Sequence, residues 1–464
     1  MRTISRSRFS ALAAYARAPM GVFIMEELAW FEDVDAGILS TIVMDRTDGD
    51  YGGIILARDM NERYRFIDQT DFFETPERAV LALNLRLLQI LPDLEALRVQ
   101  GDETGQPIDF FAPLSTEEKL HPNFLHLTSD EGFSAARRII GAMMRWNRDV
   151  DGNFVEQFQT TGFDPRLWEL YLSAALTEAG LFVDRPDPAP DFTAIGPLGG
   201  FAMEATTINP SIGTDGKPIG SQKPSSEAEI EHYVQHYLPT RYAGALTAKL
   251  HKEYWKRPVV AGKPLVFAIQ DFHDAMSMTY SGTALATYLY GYRHEAKEAA
   301  DGSLVILPIQ VVEHRWGEKT VPSGFFSLPG AENISAVIFN SSATLSKFNR
   351  MGVGAGFGSN DVVLIRRGFY ADRNPDSPSP RPYIEFVTDE NSETWIEGMD
   401  VYHNPRATHV LEPRLLPGAA HHRLLEDGRI ETMAPHWKPL QSQTSIVILT
   451  GNDQPGAESA HTPE

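Results

Sequence analysis

Three acidic residues between Phe163 and Asn209 have the side chains that phosphate chemistry uses: Glu169, Asp191 and Glu204. Magnesium prefers hard oxygen ligands in an octahedron at roughly 2.1 Å and keeps several waters. Asp191, Glu204 and the carbonyl of Ala205 can hold one such ion, with water and a phosphate in the remaining positions. A cation held in this way acidifies its water and stabilises the oxyanion of an in-line displacement. Glu169 can then orient a second ion or the attacking water. The blander reading makes Glu169 a surface helix residue, Asp191 a strand opener and Glu204 a chance acid. Against it, a charge inside a strand otherwise built of Phe, Ala and Met ordinarily needs a partner or an ion.

The surrounding sequence predicts elements that would bring these groups together. Asp164-Pro165 opens a helix that Gly180 ends. At about 100° per residue, Trp168, Leu172, Ala175, Leu176 and Ala179 share its apolar face, with Glu169 at the rim. Leu181 to Asp184 reads as a strand, and Pro186 to Pro190 as a rigid connector. Asp191 to Ile195 and Phe201 to Ile208 then pair about a turn at Gly196 to Gly200. Strand alternation puts Ala202, Glu204, Thr206 and Ile208 on one face, and the hairpin brings Asp191 near them. A helix from Tyr242 to Trp255 turns Leu246, Leu250 and Tyr254 inward. Lys249 lies at the rim of that face and Lys252 points further out. Arg241, Lys249, Lys252, Lys256 and Arg257 make this helix basic, with Glu253 opposing. Pro264 to Asp271 reads as the next strand.

From Phe163 to Asp271 this succession resembles the PD-(D/E)XK nuclease-like superfamily: Pro190-Asp191, then Glu204-Ala205-Thr206, set in helix, strand, hairpin, helix and strand. The resemblance implies an α/β fold, with a central mixed sheet and flanking helices as in restriction endonucleases. It implies Mg²⁺ or Mn²⁺ as cofactor and hydrolysis of phosphodiester bonds in nucleic acid, DNA before RNA, in defence or repair. It also implies pairing of two copies to cut both strands. The family pattern has a lysine two residues after the glutamate, where this chain has Thr206, which supplies no positive charge. Members altered at that position place the lysine on the following helix, which makes Lys249 the candidate. The alternatives are an inactive nuclease-like module that binds nucleic acid or a protein partner, and a metal-free scaffold.

The remaining sequence sets broader bounds. The chain has 464 residues and a formal net charge of -21. That charge argues against broad non-specific binding of nucleic acid but leaves room for a local basic groove. There are no cysteines, which excludes disulfides, thiolate zinc sites and thiol nucleophiles and fits a reducing cytoplasm. No apolar run is long enough for a bilayer. Met1 to Met25 reads as an N-terminal helix and not a signal peptide, with a weak transit-like alternative.

Residues 1–153 read as an N-terminal α+β domain, 154–318 as the nuclease-like core, 319–450 as a β-rich region and 451–464 as a disordered tail. Within the first, Ile38, Ile42 and Met44 mark a strand, Asp48-Gly49-Asp50 a turn and Ile54 to Ala57 its partner. Thr75-Pro76-Glu77 opens a helix supported by Leu81, Leu83, Leu85, Leu88 and Leu91. Ile334 to Asn340, Val362 to Arg367 and Tyr383 to Val387 read as later strands. The polar loop from Asn209 to Glu227 is long enough to be mobile or functional.

Weaker signals remain. His232 and His236 have a zinc-compatible spacing, but Tyr233 stands where a metalloprotease has its glutamate. Gly352, Gly354, Gly356 and Gly358 read as a flexible loop. Gln270, Asp271, His273 and Asp274 either line the same cleft or cap their strand. No Gly-x-Ser-x-Gly elbow is present, which disfavours a serine hydrolase.

Overall fold

A computed structural model describes residues 1–449 apart from 19–20, 104, 148, 150–151, 187–188, 213–217, 220–223, 275–276, 375–376 and 378. Parts of the polar loop after Asn209, and the whole tail 451–464, therefore lie outside the described residues.

Alternating apolar residues near the N-terminus build a five-stranded antiparallel sheet. Its strands are β1 (Arg2–Ile4), β2 (Met25–Asp33), β3 (Ile38–Asp45), β4 (Tyr51–Arg58) and β5 (Tyr64–Gln69), paired in that order. Helix α1 (Arg6–Ala13) follows β1. Helix α2 (Pro76–Ile90) begins as expected, with the Thr75 hydroxyl accepting from the Arg78 amide. Of the leucines read as supporting it, Leu83 alone packs inward. Ala79, Leu83, Leu87 and Ile90 are buried, whereas Leu81, Leu85, Leu88 and Leu91 face solvent. Leu81, Leu83 and Leu85 are spaced by two, and residues so spaced cannot share one helix face.

The second sheet has eight strands, and their spatial order is their chain order. They are β6 (Phe182–Asp184), β7 (Phe192–Gly196), β8 (Gly199–Ile208), β9 (Leu265–Asp271), β10 (Ala336–Phe339), β11 (Asp400–His403), β12 (Ala420–Leu424) and β13 (Ile430–Met433). β6, β7 and β8 form an antiparallel meander. β8, β9 and β10 are parallel, and β11 runs against β10. The sheet is thus mixed, and it continues past residue 319.

β9 is buried along its whole length because helices cover both of its faces. Helices α3 (Ser134–Met144), α4 (Phe163–Glu178) and α7 (Leu345–Gly354) contribute to the apolar core on one face. Helices α5 (Leu238–Leu250) and α6 (Ser277–Tyr290) supply the core on the other. The result is a three-layered α/β arrangement. Trp168 of α4 ties its helix to the sheet by donating to the Ala268 carbonyl at 3.2 Å. A separate three-stranded antiparallel sheet joins Arg381–Val387, Val362–Tyr370 and Pro439–Ile448.

The four glycines after residue 351 are not simply a loop. Gly352 and Gly354 belong to α7, and a Cβ on Gly352 would lie 2.4 Å from the Ala135 carbonyl oxygen. Glycine there lets α7 approach α3. No helix of the described residues is long and apolar enough to cross a membrane.

Candidate functional site

β8 carries Glu204 in the middle of a strand that is buried for most of its length. Cross-strand pairing of Phe192 with Met203 runs on to set Asp191 opposite Glu204. β7 has ended there, so the Asp191 carboxylate takes the position a ladder carbonyl would hold. Its Oδ2 accepts from the Ala205 amide at 2.7 Å. An extended residue directs its N–H and C=O to the same edge, so the Ala205 carbonyl faces the Asp191 side too.

The two carboxylates feel each other. Burial pushes the Asp191 carboxyl up to about 7, helped by repulsion from Glu204 and then from Glu169. The Ala205 amide and Lys249 act in the opposite direction. Desolvation and neighbouring negative charge both disfavour the ionised form.

Glu204 is 4% exposed. Its Oε1 accepts from Lys249 Nζ at 2.5 Å and from the Tyr254 hydroxyl at 2.6 Å. Its Oε2 is buried and has no hydrogen-bond partner. A carboxylate oxygen kept from water without a partner is costly. A cation beside Oε2 would remove that cost, so Asp191 and Glu204 fit the ion that the sequence implies. Among the described residues no group of three or more His, Asp or Glu side chains is placed to hold a metal. The oxygen donors that would face such an ion are therefore two carboxylates, with the Ala205 carbonyl beside them.

Lys249 reaches Glu204 from the last turn of α5. The helix is shorter at its C-terminal end than its sequence suggests. It ends at Leu250, and Glu253 adopts a left-handed conformation (φ 49°). A single turn, Tyr254–Lys256, follows, with Arg257 extended before Pro258. Across this break Tyr254 keeps the inward position expected of it and is 1% exposed. Burial, then its bond to Glu204, pushes the Tyr254 phenol above its usual range, so it stays a donor. Lys252 is exposed, Lys256 pairs with Glu253 at 2.7 Å, and the Arg257 guanidinium lies over the Tyr254 ring.

Glu169 lies in the interior and not at a rim, because α4 is covered on nearly all sides. Arg166 holds its Oε1 at 2.9 Å, and Arg185 holds its Oε2. Arg185 also donates to Asn147 at 2.7 Å and lies over the Phe192 ring. Thr206 is half-buried on the Glu204 face, where its hydroxyl can donate or accept but carries no charge. The structure thus brings Asp191, Glu204, Ala205, Thr206 and Lys249 to one end of β7, while Glu169 sits on a helix of the opposite layer and reaches Asp191 only through its charge.

Sequence reasoning missed the two arginines and the role of Tyr254. Arg166 stands three residues before Glu169, a helix-neighbour spacing that could have found it. Arg185 leaves no local signal, since a connector brings it in. The spacing of Tyr254 with Leu246 and Leu250 predicts its inward position, but its bond to Glu204 carries no mark in the sequence.

The other candidates lie elsewhere. Asp271 Oδ1 meets His273 Nδ1 at 2.5 Å, and Oδ2 accepts from Ser281 at 2.7 Å. His273 Nε2 meets the Tyr233 hydroxyl at 2.5 Å. Asp271 is level with Ile208, four positions along β8 from Glu204, or roughly 13 Å at the rise of a strand. That cluster closes the strand end and does not line the carboxylate pair. His232 and His236 lie tilted against each other near Trp316, with their ring centres 4.9 Å apart.

No protein-family model, curated protein or solved structure matches this chain.

Proposed function

We propose that the chain is a divalent-cation-dependent phosphodiesterase acting on nucleic acid, with DNA as the preferred substrate. The observation that carries this reading is the bare, buried Oε2 of Glu204 beside Asp191, with a lysine from the next helix on the same carboxylate. The order of helix, three antiparallel strands, helix and parallel strand favours a restriction-endonuclease-like core.

Asp191 and Glu204 would hold Mg²⁺ or Mn²⁺, with the Ala205 carbonyl alongside. When bound, the ion supplies an acidified water and a counter-charge for the developing oxyanion. The protein's own groups do the rest. Lys249 brings to the Glu204 edge the positive charge that Thr206 lacks. Arg166 and Arg185 clamp both oxygens of Glu169, whose charge bears on Asp191 through space. Three cations, Arg166, Arg185 and Lys249, balance the three acids, so a phosphate meets a locally neutral site on an acidic protein. Exposed Lys252, just past α5, extends positive charge outward for the backbone of the substrate.

One observation favours a second reading, an inactive module that only binds. Lys249 is already engaged by Glu204 at 2.5 Å, and no lysine replaces Thr206 in the strand. Incubation of labelled DNA and RNA with Mg²⁺ or Mn²⁺ separates the two. The enzyme cleaves, chelator stops it, and Glu204→Ala abolishes it in a folded protein. A salt-sensitive mobility shift without cleavage in any divalent ion supports the module instead.

A further inference from the structure

We infer that Tyr254 is a positioning residue that sets which cation the Asp191–Glu204 pair accepts. This rests on the reading above, that the pair holds a divalent ion. Tyr254 donates to Glu204 Oε1 at 2.6 Å, and Lys249 donates to the same oxygen at 2.5 Å. Two donors on one oxygen leave Oε2 as the only free ligand atom of that carboxylate. Glu204 is thereby confined to one-oxygen coordination.

That confinement selects among ions. Mg²⁺ demands a small octahedron and takes one oxygen from each carboxylate together with several waters. Ca²⁺ takes more ligands at longer distance and often uses both oxygens of a carboxylate. Tyr254 is rigidly held for the task. Its ring is buried against Phe267 of β9, with ring centres 6.4 Å apart, and Arg257 covers it. Lys249, on a flexible stem, is 21% exposed and alone would hold Oε1 less firmly.

Tyr254→Phe removes one hydroxyl and keeps the ring. Calorimetric titration of the full chain with MnCl₂ and with CaCl₂ measures the preference directly. Wild type is expected to bind Mn²⁺ more tightly than Ca²⁺, and Tyr254→Phe to narrow that ratio by about tenfold, the scale on which partners of metal ligands act. An unchanged ratio in a folded Tyr254→Phe protein overturns the role of Tyr254 while the cation site stands. Wild type that binds neither ion overturns the site, and the inference with it. Lys249→Gln supplies a second variant outside the core. It is expected to narrow the ratio in the same direction, and an unchanged ratio there also counts against control through Oε1.

Discussion

Replacing Asp191 by asparagine should stabilise the cation-free protein at alkaline pH. Folding raises the Asp191 carboxyl from 3.8 to about 7, with burial as the largest cause. A carboxyl raised on folding favours the folded state fully below its unfolded value. That benefit is lost as pH climbs through the window from about 4 to about 7. A gap of about three units sets a ceiling of roughly 4 kcal/mol. The proton is shared electrostatically with Glu204, and Asp191 keeps some contact with water, so about 1–2 kcal/mol is the expected size. Asparagine removes the charge but retains an oxygen for the Ala205 amide. Thermal unfolding with chelator at pH 5 and pH 8 is the assay. The variant should exceed wild type only slightly at the lower pH, which lies early in that window, and melt a few degrees higher at the upper one. A variant that melts lower at pH 8, or gains equally at both values, refutes the electrostatic argument.

Other substitutions test the remaining structure. Leu83→Ala should cost about 2–5 kcal/mol by leaving a cavity under α2, whereas exposed Leu85→Gln should change stability by less than about 0.5 kcal/mol; denaturant titration of both checks which leucines hold the helix. Gly352→Ala should cost about 1–3 kcal/mol, read as a lower melting temperature, because its methyl would strike the backbone of Ala135. Arg185→Ala should destabilise by about 1–3 kcal/mol, since it strips one partner from the interior carboxylate of Glu169. Amide exchange in α4 should rise in that variant, and unchanged exchange would count against the clamp.

The site was legible where its geometry is local. Alternation along Phe201 to Ile208 was enough to put Glu204 and Thr206 on one face, and the hairpin was enough to bring up Asp191. Helical spacing from Leu246 to Leu250 put Lys249 at the rim, next to the strand it meets. What the sequence hid depends on chain breaks and distant partners. Tyr254 was legible as inward-facing, but the break at Glu253 that precedes its turn and its bond to Glu204 were not. The burial of Glu169 comes from elements packed around α4 that carry no mark of it in their own periodicity. Strands β10 to β13 add to the same sheet from the region read separately as β-rich, and such long-range pairing leaves no repeat to detect. The leucines of α2 mislead because several patterns overlap in one apolar run.

The central claim is that oxygen atoms of Asp191 and Glu204 converge on one cation. Electron paramagnetic resonance of Mn²⁺ added to the full chain at neutral pH counts bound ions directly. Wild type should take up one ion that Glu204→Gln and Asp191→Asn both lose while remaining folded. Equal uptake by all three proteins, or none by wild type, would contradict the account.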